Sequence, residues 1–182
     1  EIGILAERRV GVIHNPTSNM MIAYGISPVA DMLAAGVPVG LGSDGAASNN
    51  DIDMWEEMRL AAFLQKVATM DPTSLPATTV LRMAPSGGAD AIGVGDITGS
   101  IIAGKRADLI QVSLDDVHFV PTYDVISHLV YVADEQDVNA VVVDGELLMN
   151  EGKFFTIDTG RLKQEANALA ARIASQLSGP PR

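Results

Sequence analysis

Asp44 is the residue of this chain best placed for chemistry. The apolar run Val37 to Leu41 delivers it into Gly42-Ser43-Asp44-Gly45-Ala46-Ala47-Ser48-Asn49-Asn50, a turn of small and polar residues. A carboxylate at the C-terminal end of a buried strand, with room beside it, is where an α/β barrel holds a metal or a proton-transfer group. The same residues also suit a plain strand-end turn whose Asp and Asn cap the next helix. A second polar cluster, His14-Asn15-Pro16-Thr17-Ser18-Asn19, contains a histidine, the commonest nitrogen ligand of metals. The chain has no cysteine, so a transition metal must be held by His and carboxylates, and thiol chemistry is excluded.

Both clusters need elements to hold them. Val10 to Ile13 is apolar and β-branched and ends at His14, where the breakers begin, so it reads as a strand followed by a loop. Val29, Met32 and Leu33 give helical spacing over 28–35, ended by Gly36, and Val37 to Leu41 makes the next strand. Strand, helix, strand predicts a parallel pair. Met54, Trp55, Met58, Ala61, Ala62 and Leu64 predict a helix over 51–69, capped by Asn50 or Asp51, with Glu56 and Glu57 near its favourable N-terminal pole. Further helices are expected over 74–83 and from Ser86 or Gly87 to Ile92.

After Gly95 the pattern changes. Ser100-Ile101-Ile102, Ala107 to Val112 and Ala140 to Val143 are short β-rich runs separated by turn signals, which predicts a small antiparallel β unit with Lys105-Arg106 in a solvated hairpin turn. From Asp158 onward, Leu162, Ala166, Leu169, Ile173 and Leu177 share one helical face, expected to dock on the β unit or on the barrel. His118 and His128 read as surface or packing residues, and Gly93-Val94-Gly95 lacks the strand, turn and helix of a dinucleotide site.

The composition limits the partners. The 182 residues carry a formal charge of −11 and 47% hydrophobic residues, so a globular protein is expected, with small molecules or protein rather than nucleic acid or an anionic membrane as partner. No apolar stretch approaches the roughly 20 residues that cross a bilayer. A cytoplasmic location is the expectation. The chain opens on Glu1, and the residues up to Arg9 read as the last turns of a helix already under way, so a truncated start is also expected.

Four blocks in order carry a resemblance: residues 14–19, residues 42–50, Gly99-Ser100-Ile101-Ile102-Ala103-Gly104-Lys105-Arg106-Ala107-Asp108-Leu109, and Val141-Val142-Val143-Asp144-Gly145. Together they resemble the C-terminal part of the amidohydrolase superfamily, in particular the methylthioadenosine and S-adenosylhomocysteine deaminases and the triazine hydrolases. The resemblance implies an α/β fold: strands seven and eight of a metal-dependent (β/α)8 barrel over residues 1–94, part of a small β-sandwich domain over 95–157, and a C-terminal helix and tail over 158–182.

It also implies roles. Asp44 would be the strand-eight aspartate that both ligates one divalent metal, zinc first and Fe or Mn as alternatives, and takes a proton from the activated water. Ser48 matches a substrate-contacting position, although a hydrogen bond at helix entry would also suit its hydroxyl. His14 would follow strand seven, whereas the histidine ligands of such families follow strands one, five and six, so His14, Asn15 and Asn19 are expected to hold the loop. The implied activity is hydrolytic deamination of an adenosine-like nucleoside through a metal-activated hydroxide. The alternative is hydrolysis of a triazine or guanine-type heterocycle. The other ligands and the catalytic Glu have no counterpart here, so a missing N-terminal part of the same protein is the implied partner. A complete 182-residue product would instead suggest a non-catalytic binding or scaffold protein. Homo-oligomerisation is a further implication of the resemblance.

Overall fold

The computed structural model describes residues 1–177. A first group of elements comprises α1 (Ile2–Glu7), β1 (Val12–His14), α2 (Pro16–Met21), α3 (Val29–Ala34), β2 (Val39–Leu41), α4 (Met54–Thr69), α5 (Ala77–Arg82) and α6 (Gly88–Ala91). The expected parallel pair is present: β1 lies beside β2 with Val12 opposite Val39 and His14 opposite Leu41. Cross-chain order therefore brings the ends of both strands, and the two polar clusters that follow them, side by side.

The core of this group is made of Val29, Met32, Val37, Val39, Leu41, Met58, Ala61, Ala62, Leu75, Val80 and Met83, joined by Val130. Glu57, Met58, Ala61, Ala62 and Gln65 form the inward face of α4, spaced three and four residues apart. Its cap differs from expectation. Asp53, rather than Asn50 or Asp51, accepts from the Trp55 and Glu56 amides, while the Asn49 side chain is drawn into another set of bonds.

Helices α5 and α6 are joined by a π-turn, Met83–Gly87, into one run lying against the strands. Two glycines permit the contact. A Cβ on Gly11 would sit 1.8 Å from the Ala91 carbonyl oxygen, and one on Gly40 would sit 2.5 Å from Gly88 Cα. Gly11, just before β1, and Gly40, within β2, lack side chains where backbone occupies the space a Cβ would need.

The second group is a four-stranded antiparallel sheet ordered β3 (Leu109–Val112), β4 (Val138–Val143), β5 (Glu146–Asn150) and β6 (Lys153–Phe154), with α7 (Val125–Tyr131) inserted before β4. Asp144-Gly145 makes the β4–β5 turn, both residues at positive φ, as two-residue hairpins require. The turn is pinned from outside: Asp108 Oδ1 accepts the Asp144 amide at 2.7 Å, and its Oδ2 accepts the Thr98 hydroxyl at 2.7 Å. Those bonds hold the Asp108 carboxyl below its usual range. The third and fourth sequence blocks thus meet through one carboxylate.

Three expectations are corrected. Ser100-Ile101-Ile102 is not a strand but part of a turn-rich loop. Lys105 is not solvated within it: its ammonium donates to the Ser100 hydroxyl at 2.7 Å and to the carbonyls of Gly95 and Thr98, tying the loop that a ladder would otherwise have held. The last helix, α8 (Thr159–Leu177), forms as the periodicity requires but docks on neither unit, and every residue of it is exposed. The tail at 178–182 lies outside the described residues. Among those described, no helix is long and apolar enough to cross a membrane.

Candidate active site

Asp44 stands three residues beyond the end of β2, exposed, in the left-handed region at φ 63°. Asp tolerates this conformation because its short side chain can bond to nearby backbone. Here Oδ1 accepts the Gly45 amide at 2.7 Å, while Oδ2 accepts the hydroxyl of Ser18, from α2, at 2.8 Å. The Gly45 amide, then Ser18, and to a lesser degree the Ser48 hydroxyl, hold the Asp44 carboxyl below its ordinary value against a small opposing effect of burial. The group is therefore an ionised carboxylate facing solvent with both oxygens oriented. The first two sequence blocks meet in this contact.

Ser48 lies in the turn after Asp44, its amide bonded to the Gly45 carbonyl at 2.9 Å and its side chain exposed. It does not cap α4, since Asp53 has that position. Asn15 packs against the other strand end: its Oδ1 occupies the space that a Cβ on Gly42 would need, 2.6 Å away. Asn19 contributes through its backbone, donating to the Asn15 carbonyl and accepting from the Tyr24 amide, which closes α2.

Below Asp44 lies a buried acid that sequence reading assigns only to a helix pole. Glu57 is fully buried, and its carboxylate accepts the Thr17 amide at 3.1 Å and the Asn49 side-chain amide at 2.7 Å. Asn49, itself 1% exposed, donates also to the Ser43 carbonyl at 2.9 Å and accepts from the Asp51 amide at 3.1 Å. Burial pushes the Glu57 carboxyl up, and the bonds from Thr17 and Asn49 pull it back.

His14 is placed differently from its neighbours. It ends β1, is 3% exposed, and neither ring nitrogen has a hydrogen-bond partner. Burial lowers its pKa from the ordinary 6.5 to about 4, so the ring is neutral at pH 7. His118 bonds Asp137 at 3.3 Å and packs on Phe119, and His128 bonds the Asp124 carbonyl at 2.9 Å, as packing residues do.

The sequence pattern of the amidohydrolase family matches residues 1–148. The chain belongs to the amidohydrolase family. The 5-methylthioadenosine/S-adenosylhomocysteine deaminase of Desulforudis audaxviator is 51% identical over 173 residues, which are 95% of this chain and 40% of that protein. A zinc-bound adenosine deaminase from Xanthomonas campestris superposes with a TM-score of 0.93 at 41% identity, over 96% of this chain and 40% of that one. A zinc complex of atrazine chlorohydrolase from Arthrobacter aurescens follows at 0.86 and 31%, over 93% and 38%. The chain thus spans about 40% of the length of the curated relatives it matches.

Among the described residues of this amidohydrolase chain, no three His, Cys, Asp or Glu side chains are grouped to hold a metal. Asp44 by itself fits the part of one oxygen ligand: it is ionised and exposed, and each oxygen accepts one strong hydrogen bond, leaving lone pairs toward solvent. His14, enclosed, does not join it.

The neutral burial of His14 has a measurable consequence. The unfolded chain takes up a proton near pH 6.5 and the folded one only near 4, so the stability that neutral His14 provides is complete above 6.5 and is lost as pH falls toward 4. In urea denaturation the unfolding free energy of the protein should therefore fall by about 2–3 kcal/mol relative to that of His14→Leu between pH 7.5 and 4.5. A constant difference would show that His14 is not held neutral.

Proposed function

We propose that this chain is the C-terminal part of a metal-dependent hydrolytic deaminase acting on an adenosine-like thioether nucleoside of the methylthioadenosine or S-adenosylhomocysteine type. The observation that carries the reading is Asp44, an oriented and ionised carboxylate at the end of a parallel strand, in a chain whose relatives are named as such deaminases. In this reading β1 and β2 are strands seven and eight of the barrel, residues 1–94 form its end, and 95–157 belong to a smaller β domain. The apolar groove of about 930 Å³ between the two units, lined by Ile13, Leu41, Ala89, Leu109 and Val141 among others, supports a further segment of the protein completing both.

Asp44 would supply one ligand to a divalent ion, zinc by preference, which when bound makes water acidic enough to lose a proton near pH 7. The neighbours that contain zinc support that choice. The chain's own contribution is positional and acid–base. Ser18 and Gly45 hold the two carboxylate oxygens in fixed directions, so one can face the cation while the other accepts the proton of the attacking water. Water oxygen adds to the amino-bearing ring carbon, the proton is carried to the amine, and the carbon–nitrogen bond breaks to release ammonia. Ser48, exposed in the turn after Asp44, would bond a purine or ribose hydrogen-bonding group.

The likeness to atrazine chlorohydrolase favours one second reading, hydrolysis of a triazine or another heterocycle by the same displacement. A substrate panel on the protein expressed from its complete coding sequence separates the two. Methylthioadenosine and S-adenosylhomocysteine should be turned over with kcat/KM at least about tenfold above guanine, 8-oxoguanine and a chlorotriazine, a difference of about 1.4 kcal/mol in barrel-site discrimination. No turnover of any aminopurine would overturn the substrate assignment.

A further inference from the structure

Glu57 has no role in the reaction just described, yet it is a fully buried acid. Burying a carboxylate is costly unless its oxygens are well bonded, so its partners indicate its purpose. Both lie next to the Asp44 contact. Thr17, whose amide bonds one Glu57 oxygen, precedes Ser18, and Ser18 donates to Asp44. Asn49, whose amide bonds the other oxygen, also donates to the carbonyl of Ser43, the residue before Asp44. One side chain on α4 therefore fastens the segment after β1 and the segment after β2, and the bond between Ser18 and Asp44 spans the two fastened segments.

Resting on the deaminase reading, we propose that Glu57, acting through Thr17 and Asn49, is a positioning residue that sets the direction of the Asp44 carboxylate. An ionised carboxylate is suited to this because both partners are N–H donors and it offers only acceptors. Glutamine at this position has nearly the same volume but one acceptor and one donor. Either Thr17 or Asn49 then faces a like N–H, and the Asn49 amide satisfies the new pair only by turning over, which removes its donor from Ser43.

Gln65 provides the internal comparison. It lies two turns further along the same buried face of α4, 1% exposed, and clamps a different segment by accepting the Ala30 amide and donating to the Ser27 carbonyl. A general loss of packing on this face should follow from either residue, whereas misdirection of Asp44 should follow from Glu57 alone.

The test compares Glu57→Gln, Asn49→Ala, Gln65→Leu and Asp44→Asn in the zinc-loaded protein expressed from its complete coding sequence, with methylthioadenosine as substrate and the thermal midpoint measured alongside. Glu57→Gln should lower kcat by about 10- to 100-fold, with KM changed less than about twofold. Asn49→Ala should do the same from the other end of the link and serves if Glu57→Gln fails to fold. Gln65→Leu should lower the midpoint without lowering kcat. Unchanged kcat in a folded Glu57→Gln or Asn49→Ala protein, or losses equal to that in Gln65→Leu, would overturn the positioning role. If Asp44→Asn is inactive while Glu57→Gln is fully active, only this proposal fails; if Asp44→Asn keeps full activity, the deaminase site itself is wrongly placed.

Discussion

Under the proposed function, replacing Asp44 with Asn in the protein expressed from its complete coding sequence should reduce turnover of methylthioadenosine by about 1,000-fold or more while leaving the far-ultraviolet circular dichroism and thermal midpoint nearly unchanged. The loss would follow from the two roles that the proposed function gives this one group. A positioned general base is worth about 100- to 10,000-fold, and the same substitution exchanges an anionic metal ligand for a neutral amide. The fold should survive because Asp44 is exposed and bonds only Gly45 and the nearby hydroxyls. An amide oxygen can still accept from the Gly45 N–H and tolerates the positive φ, since Asn and Asp share that tolerance. Steady-state kinetics with spectroscopic confirmation of folding measures both halves. Turnover within tenfold of wild type would return Asp44 to the role of an ordinary turn residue.

The largest expected effect on stability is at two glycines that bear no chemistry. Gly11→Ala places a methyl 1.8 Å from the Ala91 carbonyl oxygen, and Gly40→Ala places one 2.5 Å from Gly88 Cα and 2.9 Å from its nitrogen. Both obstacles are main chain, which cannot rotate away as a flexible side chain would. The α6 segment must then move off β1 and β2, separating elements that otherwise touch along their backbones. Each substitution should cost about 3 kcal/mol or more, at the upper end of overpacking penalties. Gly3 is the control: it is within α1 with nothing inside 4 Å of a Cβ, so Gly3→Ala should stabilise by about 0.5–1 kcal/mol. Chemical denaturation of the three variants tests this, and a Gly40→Ala protein as stable as Gly3→Ala would contradict the close packing.

The parts of this fold legible in the sequence are those set by local pattern. An apolar run ending in small polar residues places Asp44, and three- and four-residue spacing places α4. Asp144-Gly145 marks the β4–β5 turn. The parts that local pattern does not set depend on contacts across the chain. Glu57 looks like a favourable charge near a helix N-terminus, and only the folded arrangement of Thr17 and Asn49 turns it into a buried clamp. Its position on the same face as Met58, Ala61 and Ala62 is the one signal available beforehand. Ser18 gave none, being one polar residue among several until β1 and β2 paired.

Specific contacts also decide three other segments. Ile101 and Ile102 have strand propensity, but Lys105 bonds the carbonyls and hydroxyl around them, and the segment stays a loop. α7 carries no helical signal in the sequence because Val125, Ile126, Val130 and Val132 favour strands; its helix is secured by Asp124 capping the Ser127 amide and by burial of Val130. For α8, an apolar stripe correctly predicts a helix but contains nothing about which surface covers it.

Zinc affinity, measured by competition with a chromophoric chelator for the wild-type protein and Asp44→Asn from the complete coding sequence, tests the central claim most directly. The account predicts about one tightly held zinc per wild-type polypeptide and at least about tenfold weaker binding when Asp44 is replaced. Equal affinity in the two folded proteins would contradict it, because Asp44 would then not be a ligand of the metal that the deamination chemistry requires.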